Sequence, residues 1–168
     1  MNVFLAGIIQ GSKVAAEIHR QDWREPIRQL LRRHLPQAEV YCHYSRHPQS
    51  IEYDLPQIVE TFQDGVVRAA GCDLLIAYLP SASMGTAIEM YEAYRAGAMV
   101  VTVTPMSANW VVRAFSHAIL PDMSALEAWL TSGGLEKLQA DLGNAKKARM
   151  RVRKNGLPQR NSRSEVQS

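Results

Sequence analysis

The sequence is poor in cysteine, with two in 168 residues, and this excludes a disulfide framework. Cys42 and Cys72 also lack the paired spacing of a zinc site, so we interpret both as interior thiols of a protein in a reducing compartment. No apolar run reaches the roughly 18 residues of a membrane-spanning helix, and residues 1–7 lack the basic leader of a secretory signal. We therefore expect a cytoplasmic protein with no membrane partner.

The sequence also lacks both of the familiar phosphate-binding glycine motifs. A glycine-bearing turn follows the first apolar run, but it matches neither the dinucleotide fingerprint nor the Walker A loop, which ends in Gly-Lys-Ser/Thr. Glycines directly after a buried strand still let backbone amides approach a sugar or a phosphate. The candidate substrate-binding residues of this turn are Gly7, Ile8, Gln10 and Gly11.

Acidic and basic residues are distributed unevenly along the chain. Residues 1–143 contain 11 basic and 15 acidic residues, whereas residues 144–168 contain 8 basic residues and one acidic residue. We expect a domain over 1–143 and a basic, flexible tail over 144–168, because few large apolar residues accompany the tail's charges. No aromatic residue interleaves those charges to stack on bases, so a solvated terminus is favoured over contact with nucleic acid.

Short apolar runs alternate with amphipathic segments over residues 1–143, and this alternation is typical of a parallel sheet wound with helices. The patterns predict strands at 2–6, 39–43, 73–79 and 99–103, and helices at 22–34, 55–70, 86–96, 109–115, 124–130 and 135–142. We predict an α/β fold of the flavodoxin-like or Rossmann-like class, with four or five parallel strands and helices on both faces.

One carboxylate, that of Glu89, is predicted to lie beyond the carboxyl end of the third strand. The apolar run that begins at Asp73 ends in small residues before Gly85, and a helical pattern then begins at Thr86. Ligands of open α/β sheets bind at such junctions, and the glycine-bearing turn after the first strand should face this junction across one crevice. The same residues also fit a purely structural role, because Thr86 and Glu89 have the spacing of a capping box.

These motifs resemble those of the nucleoside 2-deoxyribosyltransferase superfamily, including its deoxynucleoside 5'-monophosphate N-hydrolase branch, over roughly residues 2–115. The resemblance rests on the loop Gly7-Ile8-Ile9-Gln10-Gly11 and on Asp73-Leu74-Leu75-Ile76-Ala77, which leads into Ser83-x-Gly85-x-x-x-Glu89. It implies an enzyme that cleaves or transfers the N-glycosidic bond of a nucleoside or nucleoside 5'-monophosphate, with neither a metal nor another cofactor.

The resemblance also implies roles for individual residues. Glu89 matches the nucleophile, and Asp64, with one residue of slippage, matches an aspartate that handles the base or the sugar. Ser83, in its motif with Gly85, matches a serine that contacts the 5'-phosphate. Asn109 is similar to the residue that a neighbouring subunit lends to the site in family dimers. We therefore expect a homodimer or a higher homo-oligomer.

The residue types suit this chemistry. A carboxylate below the sugar ring can stabilise the oxocarbenium character of the transition state and capture the sugar covalently. A helix N-terminus favours the ionised form of a carboxylate in its first turn, so we expect Glu89 to be negative near neutral pH. Asp64 or an ordered water is then the candidate acid that protonates the departing base.

Three further residues leave alternatives open. Phe4 stands where the family commonly has a tyrosine, and the missing hydroxyl removes a hydrogen-bond donor to Glu89 and opens space near the sugar's 2' position. His43 and Tyr44 follow the second strand and either line the base pocket or belong to a surface loop.

The alternative function is a non-catalytic nucleotide-binding or sensing module of the same fold. Cytokinin-activating phosphoribohydrolases share the Gly-Thr-x-x-Glu element, but their preceding Pro-Gly-Gly is missing here.

Overall fold

The computed structural model describes residues 1–11, 13–15 and 17–154 of the chain. A parallel sheet of five strands, in the order β2-β1-β3-β4-β5, lies at its centre. The strands are β1 (Asn2–Gly7), β2 (Glu39–Cys42), β3 (Leu74–Tyr78), β4 (Met99–Val103) and β5 (Ala118–Leu120). Phe4 of β1 is paired in register with Tyr41 of β2 and with Leu75 of β3. The predicted α/β class with a parallel sheet is confirmed.

Helices connect the strands and extend the chain beyond them. They are α1 (Arg24–His34), α2 (His43–Arg46), α3 (Leu55–Ala70), α4 (Met84–Ala96), α5 (Trp110–Phe115), α6 (Met123–Thr131) and α7 (Gly134–Lys154), and a short 3-10 helix covers Ser50–Glu52. Among the helices that the structure describes, none is both long enough and apolar enough to cross a membrane.

The interior strand β1 is buried on both faces, as expected for a parallel sheet covered by helices. Successive side chains of a strand point to opposite faces. Phe4 and Ala6 belong to a core cluster that includes Met90 of α4 and Val112 of α5. Val3 and Leu5, which point the other way, are at most 1% exposed.

Local signals explain why some predicted boundaries agree with the structure. Asp54 and Gln57 form a capping box at the start of α3, which therefore begins where it was predicted. Gly97 has φ of 93° and ends α4, because the left-handed conformation is accessible to glycine without strain. The predicted strand at 99–103 also matches β4.

Other boundaries differ from the prediction. α4 begins at Met84, two residues before the predicted start, because Ser83 rather than Thr86 is its N-cap. The sequence patterns also missed α2 and β5, which contain four and three residues respectively. Elements this short have too few residues to show a period, and β5 is only half-buried at the edge of the sheet.

The chain divides into one unit of Met1–Gly134 and a second unit that begins at Leu135. α7 runs to Lys154, so the helix predicted at 135–142 is longer than expected, and the predicted boundary at 143 falls inside it. The flexible end predicted for the tail lies, from residue 155 onward, outside the described residues. The tail's relation to nucleic acid stays a prediction.

Candidate active site

A cleft of about 300 Å³ lies beyond the carboxyl ends of β1 and β3. Its lining comes from the loop after β1, the segment after β2, the helix α3 and the start of α4. The lining residues are Gly7, Ile9, Gln10, Gly11, His43, Ser50, Ile51, Tyr53, Ile58, Thr61, Phe62, Ser83, Met84, Gly85, Thr86 and Glu89. The two glycine-bearing turns singled out in the sequence therefore border one cleft, as the topology of a parallel sheet requires.

A second groove, of about 320 Å³, is a less plausible site despite its similar size. It is lined by Phe4, Tyr41, Arg46 and Arg68, among others, and does not include Glu89. Phe4 is 1% exposed, and its ring packs against that of Tyr41 at a centroid distance of 5.3 Å. The structure therefore places Phe4 in the core and against this groove, outside the cleft.

Ser83 organises the start of α4 at the mouth of the cleft. Its Oγ accepts hydrogen bonds from the Thr86 amide at 3.4 Å and from Thr86 Oγ1 at 3.1 Å. The alternative role of Thr86 and Glu89 as a capping box does not hold, because Ser83 is the N-cap and Glu89 lies in the second turn. Glu89 accepts no hydrogen bond from the residues that the structure describes, so it has no capping role.

The ionisation of Glu89 is controlled by burial. Desolvation raises the pKa of Glu89 to about 8, and the charge of Arg24 opposes this rise only in part. The expectation of a negative carboxylate near neutral pH was wrong, since the field of the helix N-terminus falls off within the first turn and Glu89 lies beyond it. The free protein holds most of its Glu89 as the neutral acid at pH 7.

Gly65 of α3, rather than Asp64, faces Glu89. A methyl group at Gly65 would lie 3.1 Å from His43 Nδ1 and 3.7 Å from Glu89 Oε1. The missing side chain therefore lets α3 approach both groups closely. His43 Nδ1 is buried and has no hydrogen-bond partner in the described part of the chain. Burial, with a smaller effect of His47, lowers the pKa of His43 to about 4, so the ring is neutral at neutral pH.

Asp64 lies one residue along the helix and is directed elsewhere. Its Oδ2 accepts a hydrogen bond from Arg68 Nε at 2.6 Å and one from the Tyr41 hydroxyl at 3.4 Å. The hydrogen bond from Arg68 holds the pKa of Asp64 below its usual range. Asp64 does not line the cleft, and an ionised carboxylate cannot donate a proton to a departing base.

Arg24, which the sequence analysis did not single out, is a buried cation behind the site. It is 5% exposed, and its guanidinium carbon lies 4.1 Å from the ring centroid of Trp23 and 5.2 Å from that of Tyr44. Its Nε donates to Gln21 Oε1 at 2.7 Å, and its Nη1 donates to Cys42 Sγ at 3.2 Å. Tyr44 is thus one wall of a cation cage and does not line the cleft.

The loop after β1 combines cleft and core residues. Gly7 packs so closely against Trp23 that a Cβ would lie 2.4 Å from the indole ring, and Gly11 has φ of 60°. Both positions therefore require glycine. The side chain of Ile8 is 1% exposed and belongs to the core, whereas Gln10 and Gly11 line the cleft.

Asn109 also lies outside the cleft of its own chain. Its Oδ1 accepts hydrogen bonds from the amides of Val111 at 3.0 Å and Val112 at 3.3 Å, which makes it the N-cap of α5. The neighbouring Trp110 is 86% exposed.

The structure thus brings some predicted site residues together and separates others. Those that line the cleft are Gly7, Gln10, Gly11, His43, Ser83, Gly85 and Glu89, and those that do not are Phe4, Ile8, Tyr44, Asp64 and Asn109. The sequence analysis missed the apolar wall that includes Ile58 and Phe62. Their spacing of four residues marks one helix face, but periodicity alone does not distinguish a cleft wall from a core face.

Comparison with known proteins gives structural likeness without sequence likeness. No protein-family model and no curated protein matches the chain. The solution structure of BlsM is similar with a TM-score of 0.61 and 18% identity, over 82% of this chain and 90% of that one. A 2-deoxyribosyltransferase from Bacillus psychrosaccharolyticus is similar with a TM-score of 0.57 and 16% identity, over 76% and 90% of the two chains.

The chain has the fold of a 2-deoxyribosyltransferase. A conserved protein from Enterococcus faecalis V583 shares it, with a TM-score of 0.53 and 15% identity over 79% of this chain and 98% of that one. The resemblance drawn from the sequence motifs is therefore confirmed at the level of the fold.

Proposed function

We propose that this protein cleaves the N-glycosidic bond of a nucleoside 5'-monophosphate and that Glu89 is the nucleophile. The observation that carries the proposal is a carboxylate that borders a cleft at the carboxyl edge of the sheet, has no hydrogen-bond partner in the described chain and does not cap its helix. A 2-deoxyribosyltransferase is among the proteins that share the fold. A carboxylate in this position suits N-glycosidic cleavage, because it can stabilise the oxocarbenium character of the transition state.

The reaction proceeds in two displacements. A Glu89 carboxylate oxygen forms an ester bond to C1' of the sugar while the bond between C1' and the base nitrogen breaks, and its electron pair leaves with the base, which takes a proton from water. Water then attacks C1' and gives up one proton to the solvent, the ester bond breaks, and Glu89 leaves as a carboxylate. If a second base attacks in place of water, the same intermediate gives transfer.

The raised pKa of Glu89 has a direct consequence for this mechanism. Only the ionised carboxylate is a nucleophile. Below the pKa of about 8, the ionised fraction of Glu89 rises about tenfold for each unit by which the pH increases. We therefore expect kcat/KM to rise with pH up to about 8 and then to level off. The neutral His43 beside Glu89 adds no charge to the site at these pH values.

The start of α4 suits a phosphate. Helix N-termini present amides without partners inside the helix and a positive dipole end. Ser83, Gly85 and Thr86 at the start of this 13-residue helix all line the cleft, and the Thr86 amide among them already donates to Ser83 Oγ. A 5'-phosphate bound there would place the sugar one turn further along the helix, above Glu89. This arrangement supports a nucleoside 5'-monophosphate over a nucleoside as substrate.

The alternative of a non-catalytic binding module explains the site less well. Burial of a carboxylate without a partner is costly, and an anion beside a phosphate and a sugar does not help to hold a nucleotide. A binding protein would therefore gain from a neutral residue at position 89. The nucleophile's role accounts for the carboxylate directly.

We also propose that the protein acts as a homodimer. Apolar side chains remain exposed on three neighbouring helices, namely Leu55, Ile58, Val59, Phe62 and Val67 of α3, Met84, Ile88 and Tyr91 of α4, and Trp110 and Val111 of α5. α3 packs along α4, and α4 contacts α5, so these residues lie on adjacent elements. Exposed apolar surface of this extent favours association with a second copy.

Base release measured by chromatography tests the proposed activity. The wild type is incubated with the common nucleosides and their 5'-monophosphates, with and without a free acceptor base. Release of base from at least one monophosphate by the wild type, and none by Glu89→Gln, is the expected result. Equal turnover by a folded Glu89→Gln variant contradicts the mechanism.

A further inference from the structure

Arg24 is a buried charge without the usual partner. No carboxylate of the described chain forms an ion pair with it, and its hydrogen bonds go to the neutral side chain of Gln21 and to the thiol of Cys42. The faces of Trp23 and Tyr44 enclose the guanidinium. Cation–π contacts offset part of the desolvation of an arginine, but they leave its charge uncompensated.

Glu89 is an acidic group that also lacks a partner, and its charge is opposite in sign to that of Arg24. Its carboxylate is also desolvated and receives no hydrogen bond within the described chain. The segment of Cys42 and His43 connects it to Arg24: Cys42 Sγ accepts a hydrogen bond from Arg24 at 3.2 Å, and the neutral His43 ring and Glu89 approach the same side of Gly65. In agreement with this arrangement, Arg24 opposes the rise in the pKa of Glu89.

Two acidic groups act on Arg24: the Cys42 thiol, whose pKa Arg24 helps to lower, and Glu89, which is the only carboxylate among the charges that act on it within the described chain. Buried charges are normally paired. Here the two unpaired groups of opposite sign act on each other through the protein interior.

On the basis of the proposed function, we infer that Arg24 is the counter-ion of the nucleophile, a positioning residue that stabilises the carboxylate form of Glu89 without touching the substrate. Its effect grows when substrate fills the cleft, because exclusion of water lowers the effective dielectric constant around both charges. The aromatic cage and the bonds to Gln21 and Cys42 hold the guanidinium away from the nucleophile. Arg24 therefore stabilises the charge and leaves the carboxylate oxygens free to attack.

The same charge assists the second displacement. In the glycosyl-enzyme, the ester of Glu89 is neutral, and Arg24 is a buried cation that has lost the opposing charge of Glu89. When water attacks C1' and the ester bond breaks, the negative charge returns to Glu89 and Arg24 stabilises it. Loss of the Arg24 charge should therefore slow both the formation of the nucleophile and the breakdown of the intermediate.

The test is the pH profile of kcat/KM between pH 5.5 and 10 for the wild type, Arg24→Met and Arg24→Lys. In Arg24→Met we expect the rising limb of the profile, where kcat/KM increases with pH, to shift to higher pH by one unit or more. This shift lowers kcat/KM at pH 7 at least tenfold. The plateau should stay within threefold of the wild type. Arg24→Lys retains the charge and should keep the limb within half a unit of the wild type.

Arg28→Met is the matched control. Arg28 lies one turn further along α1, and its Nη2 donates to Ser45 Oγ at 2.7 Å. It carries the same charge as Arg24, but it does not affect the pKa of Glu89. The rising limb of the pH profile of Arg28→Met should coincide with that of the wild type. An unmoved limb in Arg24→Met, or an equal displacement in Arg24→Met and Arg24→Lys, overturns the inference.

A measurement without substrate separates this inference from the proposed function. The free energy of unfolding is measured at pH 8.5 with and without Glu89→Gln, in the wild-type and the Arg24→Met backgrounds. Glu89→Gln should stabilise the Arg24→Met background more than the wild type, because the carboxylate there has lost its counter-ion. Equal stabilisation in both backgrounds refutes the inference, even if no nucleotide is cleaved. Arg24→Met alone could fail to fold at pH 8.5. In that case, folding of the double variant with Glu89→Gln supports the inference, and failure of the double variant to fold refutes it.

Discussion

Replacement of Glu89 by glutamine should remove activity and increase stability together. Glutamine matches the size of the neutral carboxylic acid but cannot ionise or form a glycosyl ester. α4 keeps its N-cap, because the cap is Ser83. We therefore expect a folded protein that releases no base, in contrast to the loss of stability that most substitutions at buried positions cause.

The magnitude follows from the pKa of Glu89. That pKa rises from the ordinary value of 4.5 to about 8 in the folded protein. A group whose pKa is raised on folding stabilises the fold fully below its unfolded pKa, and this contribution is lost as the pH rises toward the folded pKa. The wild type should therefore lose up to about 3 kcal/mol relative to Glu89→Gln between pH 4.5 and pH 7.

Water in the open cleft screens part of this penalty, so we expect Glu89→Gln to be more stable by about 1–2 kcal/mol at pH 7. For a chain of this size such a gain raises the melting temperature by about 2–8 °C. The difference should be close to zero at pH 4.5 and should increase steadily to pH 8.5.

Chemical denaturation at pH 4.5, 7 and 8.5 measures the difference, with Glu60→Gln as the control. Glu60 is an exposed carboxylate of α3, and its replacement should change stability by less than about 0.5 kcal/mol at each pH. Equal stability of Glu89→Gln and the wild type at all three pH values would show that the carboxylate is not desolvated, and the reasoning on the nucleophile would fail with it.

Three further predictions concern the substrate, the close approach of α3 to Glu89 and the assembly. Ser83→Ala should reduce the preference for monophosphates over nucleosides by roughly 1–2 kcal/mol in kcat/KM; a wild type that cleaves both equally well argues against a phosphate at this position. Gly65→Ala should lower kcat/KM at least tenfold in a folded protein, because its methyl group would lie 3.1 Å from His43 Nδ1. The control Gly71→Ala, whose methyl group would have its nearest contact at 3.5 Å, should leave kcat/KM unchanged. Equal activity of the two variants would show that the close approach at Gly65 does not matter for activity. Light scattering should give at least twice the chain mass of 18.8 kDa, and a mixture of inactive Glu89→Gln and inactive Asn109→Asp should regain activity if each subunit lends Asn109 to its partner; an active monomer excludes the shared site.

The sequence predicted those parts of the fold that depend on local pattern. The apolar run at 99–103 is buried on both faces and can only be an interior strand, and it matches β4. Asp54 directly before Leu55 and Pro56 in the first helical turn fix the start of α3. The start of α4 was misplaced because two residues, Ser83 and Thr86, are both good N-caps by type, and the choice between them depends on the path of the preceding loop.

The candidate site was predicted where the backbone determines position. Gly7, Gln10 and Gly11 follow β1, and Ser83, Gly85 and Glu89 follow β3, so a parallel sheet places both turns at the same edge. The prediction failed for Asp64, because one residue of difference on a helix changes the direction of a side chain by about 100°. That rotation brings Gly65 to Glu89 and turns Asp64 toward Arg68.

By itself, the sequence determined the parallel sheet with four of its five strands and the edge at which the cleft opens, because these depend on hydrophobic period and on the direction of parallel strands. Only the tertiary structure decided the electrostatics of the site. Burial makes Glu89 a weak acid and His43 a weak base, and it brings Arg24 into the interior although its sequence context is that of a surface arginine at the start of an amphipathic helix. Desolvation depends on what packs around a group from distant parts of the chain, and no local pattern of residues records it.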